Sequence, residues 1–417
     1  MSPHAITWTI AAVATAGVIV RPFDWPEAIW AVTGAALLVI FGLLSPGDAL
    51  AGLANGTDVY LFLTGMMLLA EIARHEGLFD WLAVVATIWA KGSASRLFLL
   101  IYGVGTVVTT FLSNDATAVV LTPAVAAAVK TAKAQQPLPY LLICAFIANA
   151  ASFVLPISNP ANLVVYGSRM PPLLQWLPRY SLPSVLAIVA TYLMLRWTQR
   201  AELKQQLAAV MPLQSLSGGG KAAALGITGT AILLLASSAL DVRLGLPTAI
   251  AGTLTAAAVL IRTRTRPWTI VKNISWSVLP LVAGLFVLVQ ALDNTGLIRA
   301  ISGPLRGDAV DSYGWTAWAA GVVVALASNL MNNLPVGLIA GSAVQSSNAS
   351  DLITSAILIG VDLGPNLSVT GSLATILWLA VLRREGQIIG TFRFLRLGFL
   401  VMPPALLLAL GGALLLR

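Results

Sequence analysis

Long apolar runs separated by short polar segments make up most of the chain. Several runs approach the roughly 20 consecutive apolar residues that a membrane-spanning helix needs. The clearest are residues 5–20, 27–44, 182–195, 222–240 and 246–261. Shorter runs at 78–90 and 297–308 are flanked by charge, which is typical of amphipathic helices along a membrane surface. The pattern therefore predicts an all-α protein that crosses a membrane many times.

Four polar breaks interrupt the apolar runs at positions expected deep in the membrane. Hydrocarbon offers no water to unpaired backbone groups, so irregular chain is tolerated there only where it lines a cavity or a site. We predict that the polar residues of the breaks bind a solute, although they could instead satisfy kinked helices or join neighbouring helices. They are Ser113, Asn114, Ser158, Asn159, Asn332, Asn333, Thr370, Gly371 and Ser372.

Each break precedes a new apolar helix, as helix-capping residues do. Asn159 stands before Pro160, Asn333 stands before Pro335, and Ser372 leads into an apolar run, in line with the preferences of helix N-termini. Such half-helices direct free N–H groups and a partial positive charge into the membrane interior. Amide and hydroxyl side chains add both donors and acceptors. The breaks therefore suit a small polyhydroxylated solute or, through carbonyl oxygens, a cation.

Four sequence matches recur in the same order in the two halves of the chain. They pair 65–78 with 284–297, 26–29 with 247–250, 113–117 with 331–335, and 158–162 with 371–375. The third match places Asp115 opposite Asn333. Internal duplication predicts two inverted repeats, residues 1–199 and 222–417, joined by a cytoplasmic linker at 200–221.

Composition and charge place these repeats in a membrane. The chain is 58% hydrophobic and 10% charged, with a mean hydropathy of +0.88, which excludes a soluble protein of this length. A net charge of +8 would favour a nucleic-acid partner in a soluble protein. Here the basic residues cluster in loops at 196–221, 262–272 and 383–396, so they indicate the cytoplasmic side of a bilayer and no nucleic acid is expected.

The basic loops predict about ten crossings, with both ends of the chain outside. Each repeat then requires a re-entrant hairpin, near 97–130 and 313–346, because the segments flanking each hairpin must lie on one side. Each repeat also has a broken helix, at 139–168 and 352–382. Hairpins that enter from opposite faces are typical of alternating-access transporters. Between the repeats, the Ser- and Gly-rich stretch 213–220 predicts a flexible segment.

Three acidic residues, Glu71, Asp115 and Asp362, lie in apolar surroundings. An ionisable side chain within a span is costly and by default indicates function, so each is a candidate for proton coupling. Alternatives remain open: Asp115 could cap the helix that begins at Ala116, Glu71 could be structural because its counterpart is a glutamine, and Asp362 could orient the turn at 364–366. The breaks contain no Lys or Arg, which favours a neutral or cationic solute over a dicarboxylate.

The sequence gives little support to other kinds of chemistry. The one cysteine, Cys144, lies in an apolar run, and neither it nor His4 and His75 belongs to a metal-binding cluster. No Ser–His or Cys–His pair falls in the breaks, so an intramembrane enzyme is not expected, and the ring of charge typical of a channel is missing. We expect a secondary transporter without a cofactor.

Four motifs then carry a resemblance that runs over essentially the whole chain. Segments 111–118, 155–163, 331–337 and 364–375 resemble those of the bacterial arsenite and antimonite efflux permeases. These belong to the ion transporter superfamily, whose members include sodium/proton antiporters and dicarboxylate carriers. The last motif, Gly364-Pro365-Asn366 through Thr375, is the most specific.

The resemblance implies a protein of the bacterial inner membrane that extrudes arsenous or antimonous acid in exchange for protons. It implies a scaffold domain and an elevator-like transport domain that carries the two hairpins. In some members a cytoplasmic arsenite-stimulated ATPase assists, and a homodimer is compatible with the family. A sodium/proton antiporter or sodium-coupled carrier is the main alternative.

The residues of the hairpin tips favour protons over sodium, and the chemistry of the breaks supports the substrate independently. Dicarboxylate-carrying relatives place Ser-Asn-Thr at the hairpin tips, whereas this chain has Ser113-Asn114-Asp115 and Met331-Asn332-Asn333. Arsenous acid is neutral at physiological pH and presents three hydroxyls, which suits amides, hydroxyls and helix ends. A single cysteine cannot form the three-thiolate trap that soft trivalent arsenic favours, so release should be easy.

Overall fold

The computed structural model describes residues 2–208, 215–305 and 313–416. Within these ranges the regular structure is helical, and the only β interaction is an isolated bridge between Ser93 and Gln206. The prediction of an all-α protein is confirmed. Residues 209–214 of the predicted linker and 306–308 of the second predicted surface helix lie outside the described ranges.

Ten helices make up the first half of the chain. They are α1 (Pro3–Val20), α2 (Glu27–Ile40), α3 (Pro46–Asn55), α4 (Thr57–His75), α5 (Leu78–Ala90), α6 (Ala94–Phe111), α7 (Thr122–Thr131), α8 (Leu138–Ala150), α9 (Pro160–Tyr166) and α10 (Leu173–Thr198). The second half repeats this order of long and short helices. They are α11 (Gly218–Ala239), α12 (Gly245–Thr263), α13 (Pro267–Val271), α14 (Val278–Asn294), α15 (Leu297–Ser302), α16 (Tyr313–Met331), α17 (Asn333–Ser347), α18 (Asp351–Leu363), α19 (Leu373–Arg384) and α20 (Thr391–Leu415).

Seven of the described helices are long and apolar enough to cross a membrane, or nine spans if two bent pairs each count as one. The bent pairs are α3 with α4, at 46°, and α14 with the segment Leu297–Leu305, at 79°. The chain is therefore a polytopic membrane protein. Two of the seven, α6 and α16, are the first arms of the predicted hairpins. Helix length cannot distinguish such an arm from a full crossing, so the count of ten crossings stays a prediction.

The helices form two groups, distinguished by which helices pack on one another. In the first group, formed by α1–α4 and α11–α14, α4 packs on α12 and α14 packs on α2. In the second group, α10 packs on α20, α6 on α8, and α16 on α18. The short helices α9 and α17 contact α4 and α14 respectively, so they lie where the two groups meet.

The glycines that align the two halves stand at these helix crossings. A Cβ on Gly65 would lie 2.2 Å from the Thr248 carbonyl oxygen of α12, and one on Gly284 would lie 2.7 Å from the Ala31 carbonyl carbon of α2. Only glycine allows backbones to approach so closely. The same device thus joins α4 to α12 and α14 to α2, the pairing expected of two copies of one unit.

Each predicted hairpin region contains two helical arms, α6 with α7 and α16 with α17. In the first, backbone N–H groups of the adjacent residues Leu207 and Ala208 donate to the carbonyls of Gly92 and Ala132, at 3.1 and 2.9 Å. The start of α6 and the end of α7 therefore lie side by side. In the second, the segment Gly303–Leu305 contacts both α16 and α17.

The predicted flexible linker is wrong at its C-terminal end. Gly218, Gly219 and Gly220 form the first turn of α11, and the Ser217 hydroxyl caps that turn by accepting a 2.8 Å hydrogen bond from the Gly220 N–H. Glycines are poor helix formers, so composition suggested flexibility. The cap and the packing of α11 against α4 and α12 outweigh that preference.

The predicted surface helix at 78–90 forms with the predicted bounds, as α5, and buries one face against α6 and α7. Its counterpart is shorter. The helix α15 ends at Ser302, and a 3-10 turn, Gly303–Leu305, follows it.

Candidate functional site

The first break, between α6 and α7, forms a tight tip. The Ser113 hydroxyl accepts a 3.1 Å hydrogen bond from the Ala116 N–H, so Ser113 caps the following helix. The alternative that Asp115 caps this helix is therefore wrong. In the described part of the chain no hydrogen bond reaches the carboxylate of the half-buried Asp115. Residues 116–121 form a π-helical segment, a distortion common at functional sites.

The second break, between α16 and α17, has a matching tip with a different cap. The Asn332 side chain accepts a 3.3 Å hydrogen bond from the Leu334 N–H. Asn332 has φ 70° and ψ 150°, a conformation that residues other than glycine rarely adopt and that is found mainly at functional sites. The side chain of Asn333 has no hydrogen-bond partner among the described residues.

Each tip is held by the broken helix of its own repeat. The Asn114 N–H donates to the Ser158 carbonyl at 3.1 Å, and the Asn333 N–H donates to the Gly371 carbonyl at 2.9 Å. This equivalence pairs Asn114 with Asn333, one residue away from the sequence alignment. Between the repeats Asp115 therefore corresponds to Leu334, and the predicted correspondence of Asp115 with Asn333 is wrong.

The broken helices restart where the sequence predicts. Asn159 caps α9 by accepting a 3.0 Å hydrogen bond from the Ala161 N–H, and Ser372 caps α19 by accepting one of 3.1 Å from the Thr375 N–H. Both caps are buried. The first turns of α9 and α19 thus bring their N-terminal ends, with their partial positive charge, to the two tips.

A small enclosed space of about 10 Å³ lies where these parts meet. Three predicted binding residues line it, Asn114, Asn159 and Asn333, together with Asp115. Neither lysine nor arginine is among its lining residues, and Leu63 of α4 and Val278 of α14 close it on the side of the first group. Such a volume holds about one water molecule, so the site is closed in this conformation.

A second space of about 10 Å³ lies beside the first and is lined by Asn332, Leu334 and Glu27. Glu27 forms an ion pair with Arg21. Sequence reasoning missed Glu27 because an acid in the first turn of a helix is an ordinary interfacial residue. Its place beside the second tip follows only from the packing of α2 against α14.

The other predicted binding residues shape the breaks. The Ser158 hydroxyl donates to the Thr110 carbonyl at 2.9 Å, and the Thr370 hydroxyl donates to the Asn329 carbonyl at 3.0 Å. A buried amide that was not predicted to bind the solute also holds the chain in place: the side chain of Asn162 donates to the carbonyls of residues 152, 155 and 156. The hydrogen bonds of Ser158 and Thr370 therefore agree with the alternative that polar residues of the breaks satisfy the backbone of kinked helices.

Asp362 is fully buried and lies one hydrogen bond away from the enclosed space. Its Oδ1 accepts a 2.8 Å hydrogen bond from the Asn159 side chain, and its Oδ2 has no partner among the described residues. The turn at 364–366 is held instead by Asn366, which donates to the Phe146 carbonyl and accepts from Asn149. The structure does not support the alternative that Asp362 orients this turn.

Glu71 lies in a different environment. Its two carboxylate oxygens accept hydrogen bonds from Arg74, at 2.7 Å from Nε and 2.5 Å from a terminal nitrogen. Glu71 lines neither of the two small spaces. Asp115 and Asn159 line the same small space, and Asn159 donates to Asp362. Glu71 lies apart from these residues, in a salt bridge near the end of α4.

A wide cleft of about 480 Å³ approaches the enclosed space from one end of the molecule. Four helices, α4, α9, α14 and α17, line both the cleft and the space. Val59, Leu163 and Leu338 line the cleft, on α4, α9 and α17 respectively. Leu63, Pro160 and Leu334 line the space, about one turn further along the same helices. On α14, Phe286 lines the cleft and Val278, about two turns away, lines the space. About one helical turn of side chains therefore separates the tips from the cleft.

Comparisons with known proteins agree with this architecture. Residues 10–361 match the family described as citrate transporters. The arsenical pump membrane protein of Escherichia coli is 29% identical over 409 residues, which is 92% of each chain. A putative arsenical pump membrane protein of Bacillus subtilis is 24% identical over 419 residues, 94% of each chain.

Likeness to solved structures supports the fold. The Alcanivorax borkumensis YdaH transporter, whose crystal structure is described as having an unusual topology, matches with a TM-score of 0.55 and 13% identity, over 99% of this chain and 97% of that one. The predicted resemblance to arsenical pump membrane proteins is confirmed. Because the family match covers most of the length and the helices build a two-group membrane fold around paired breaks, the chain belongs to the citrate transporter family and is a polytopic membrane transporter.

Proposed function

We propose that the protein extrudes arsenous or antimonous acid from the bacterial cytoplasm in exchange for protons. The observation that carries the proposal is the set of polar residues that line the enclosed space: three amides and one carboxylate, with no lysine or arginine. Amides can donate and accept at once, which matches a neutral solute with three hydroxyls. The arsenical pump names of the relatives favour the same substrates.

Citrate, which the family description names, suits this space less well. A carrier for a fully ionised citrate must compensate several negative charges, and a carboxylate inside the site adds another. Here the positive contributions at the tips are the ends of α9 and α19, worth about half an elementary charge each. Arg243, which lines the outer cleft, is not among the residues that line the enclosed space.

Asp115 is the proposed proton carrier, with Asp362 as its partner. Asp115 borders the solute space and its carboxylate lacks a protein hydrogen bond in the described ranges, so it can take up and release a proton as the solute leaves and enters. Asn159 contacts both the space and Asp362. Coupling between the two carboxyl groups is therefore proposed to pass through the solute space and Asn159.

The proposed motion is elevator-like alternating access. The tips and the starts of α9 and α19 lie against Leu63 and Val278, which belong to α4 and α14 of the first helix group. Because the site lies between the two groups, sliding the second group along α4 and α14 would expose the tips alternately to each side. The cleft is then the outer path, and the energy comes from the proton gradient across the inner membrane, with or without an ATPase subunit.

Arsenite tolerance and accumulation in a bacterium that lacks its own efflux system test this function. Cells expressing the chain should tolerate higher arsenite and accumulate less of it than cells carrying the empty vector. Added citrate should leave both readouts unchanged. Equal accumulation in the two strains would contradict the proposed substrate, and accumulation that responds to sodium but not to pH would favour the sodium-coupled alternative.

A further inference from the structure

A groove of about 340 Å³ lies away from the transport site, between the end of α10 and the start of α20. On one wall are Trp197, Arg200 and Glu202, and on the other are Arg393, Arg396 and Leu400. These residues lie at the end of the molecule that carries the basic loops, so the predicted topology places the groove at the cytoplasmic surface of the membrane.

The charge of the groove is unbalanced. Arg200, Arg393 and Arg396 are exposed, and within the described ranges none of them forms a salt bridge. Glu202 is the only carboxylate in the lining, so two positive charges remain uncompensated. The Arg200 guanidinium also lies 6.0 Å from the centre of the Trp197 ring. A cluster of this kind attracts an anion that guanidinium groups can hold through two hydrogen bonds each, such as a phosphate.

The polarity of the groove changes along α20. Residues 393, 396, 397 and 400 share one helix face because they are spaced by three and four positions. The first two are arginines and the deeper two are leucines, and Leu400 remains 37% exposed. Trp197 is 52% exposed at the same level as the arginines, a place that tryptophan favours at the boundary between headgroups and acyl chains. A free anion would use only the arginine end.

We propose that this groove binds an anionic phospholipid, with the phosphate among Arg200, Arg393 and Arg396 and the acyl chains against Leu397, Leu400 and Trp197. Basic pockets between spanning helices on the cytoplasmic side are suited to such lipids. The lipid joins α10 to α20, the last helices of the two repeats. The inference depends on the membrane fold and not on the proposed substrate.

Binding to the purified full-length protein in detergent tests the site. Palmitoyl-oleoyl phosphatidylglycerol should bind more tightly than palmitoyl-oleoyl phosphatidylcholine, measured by native mass spectrometry across a lipid titration. Arg393→Ala should weaken phosphatidylglycerol binding about fivefold, and Arg393→Ala with Arg396→Ala about 25-fold, from the loss of one and two phosphate contacts. Glu202→Gln should strengthen binding about fivefold, because a repelling charge is removed.

The matched control is Arg383→Ala with Arg384→Ala, which removes two exposed arginines at the same end of the molecule that do not line the groove. This control should bind phosphatidylglycerol like the original protein. Equal weakening in the control, or equal affinity for phosphatidylcholine, would overturn the proposal. Displacement of the lipid by millimolar inorganic phosphate would show that a free anion is the ligand.

If the double variant does not fold, the single variants Arg200→Ala, Arg393→Ala and Arg396→Ala test the site in its place. Unchanged phosphatidylglycerol binding in all three would overturn the proposal.

Discussion

At the scale of single residues, Asn159 has the most connected position in the site. Its side-chain oxygen caps α9, its side-chain nitrogen donates to Asp362, and it borders the enclosed space. One side chain therefore links a helix start, a buried carboxyl group and the solute site. Replacement of Asn159 affects all three, so the contribution of the Asp362 contact has to be separated from the rest.

A double-mutant cycle on Asn159 and Asp362 makes that separation. Asn159→Ala should destabilise the protein by roughly 2–4 kcal/mol through the lost cap and the lost hydrogen bond. In an Asp362→Asn background the same change should be smaller, with a coupling of about 1–3 kcal/mol. Thermal unfolding of the four proteins in detergent measures this. Additive effects would contradict a direct interaction.

Sequence patterns located the breaks but not the task of each residue within them. Polar residues in apolar runs, and Asn or Ser before a new helix, identified every break. Whether Ser113 or Asp115 caps the first tip could not be predicted, because both are good capping residues three and one positions from Ala116. The hydroxyl of Ser113 caps the turn, and that leaves the carboxylate of Asp115 available at the site.

At the scale of helices, close crossings at glycine fix the first group. Gly65 of α4 lies so near α12 that a Cβ would meet the Thr248 carbonyl at 2.2 Å. In α11, a Cβ added to Gly229 would have no neighbouring atom within 4 Å. The two positions offer a comparison in which the helix propensity changes equally and only the packing differs.

Gly65→Ala should destabilise the protein by about 1–3 kcal/mol because the helices must move apart. Gly229→Ala should be neutral or stabilise by up to about 1 kcal/mol because alanine favours the helix. Unfolding temperatures in the same detergent compare them. Equal effects of the two changes would mean that the α4–α12 crossing is not as close as described.

The helices themselves were largely predictable, and their ends only in part. The bounds of α5 follow from charge at both ends of an apolar run. The start of α11 was misplaced because three consecutive glycines favour a flexible segment, whereas the Ser217 cap begins a helix there. The alignment of the two tips was displaced by one residue, since the sequence cannot show which N–H groups donate to the broken helices.

At the scale of the whole molecule, the position of the cleft allows the predicted orientation in the membrane to be tested. Ser342 and Gln345 line this cleft, at the end opposite the basic loops. The single native cysteine, Cys144, is buried. A Cys144→Ala protein with one new cysteine therefore reports the exposure of that position alone.

In intact cells, Gln345→Cys should react with a thiol reagent that cannot cross the membrane. Arg384→Cys, near the end of α19 and exposed, should react only after the cells are opened. The rates of labelling before and after permeabilisation are compared. The opposite pattern would reverse the orientation assigned from the basic loops and would make the cleft a cytoplasmic entrance.

The fold as a whole could be predicted in class but not in packing. Hydropathy and repeated breaks gave an all-helical membrane transporter with two related halves. They could not show that α9 and α17 lie against α4 and α14, because that contact depends on side chains far apart in sequence. The cleft and the enclosed space follow from this contact.

Arsenite uptake into everted membrane vesicles under an imposed pH gradient tests the central claim most directly. With the vesicle interior acidic, vesicles containing the protein should accumulate arsenite, and dissipation of the gradient should abolish the uptake. Asp115→Asn should lose this proton-driven accumulation, whereas Glu71→Gln, which changes a carboxylate outside the site, should retain it. Full proton-driven accumulation by Asp115→Asn would contradict the account.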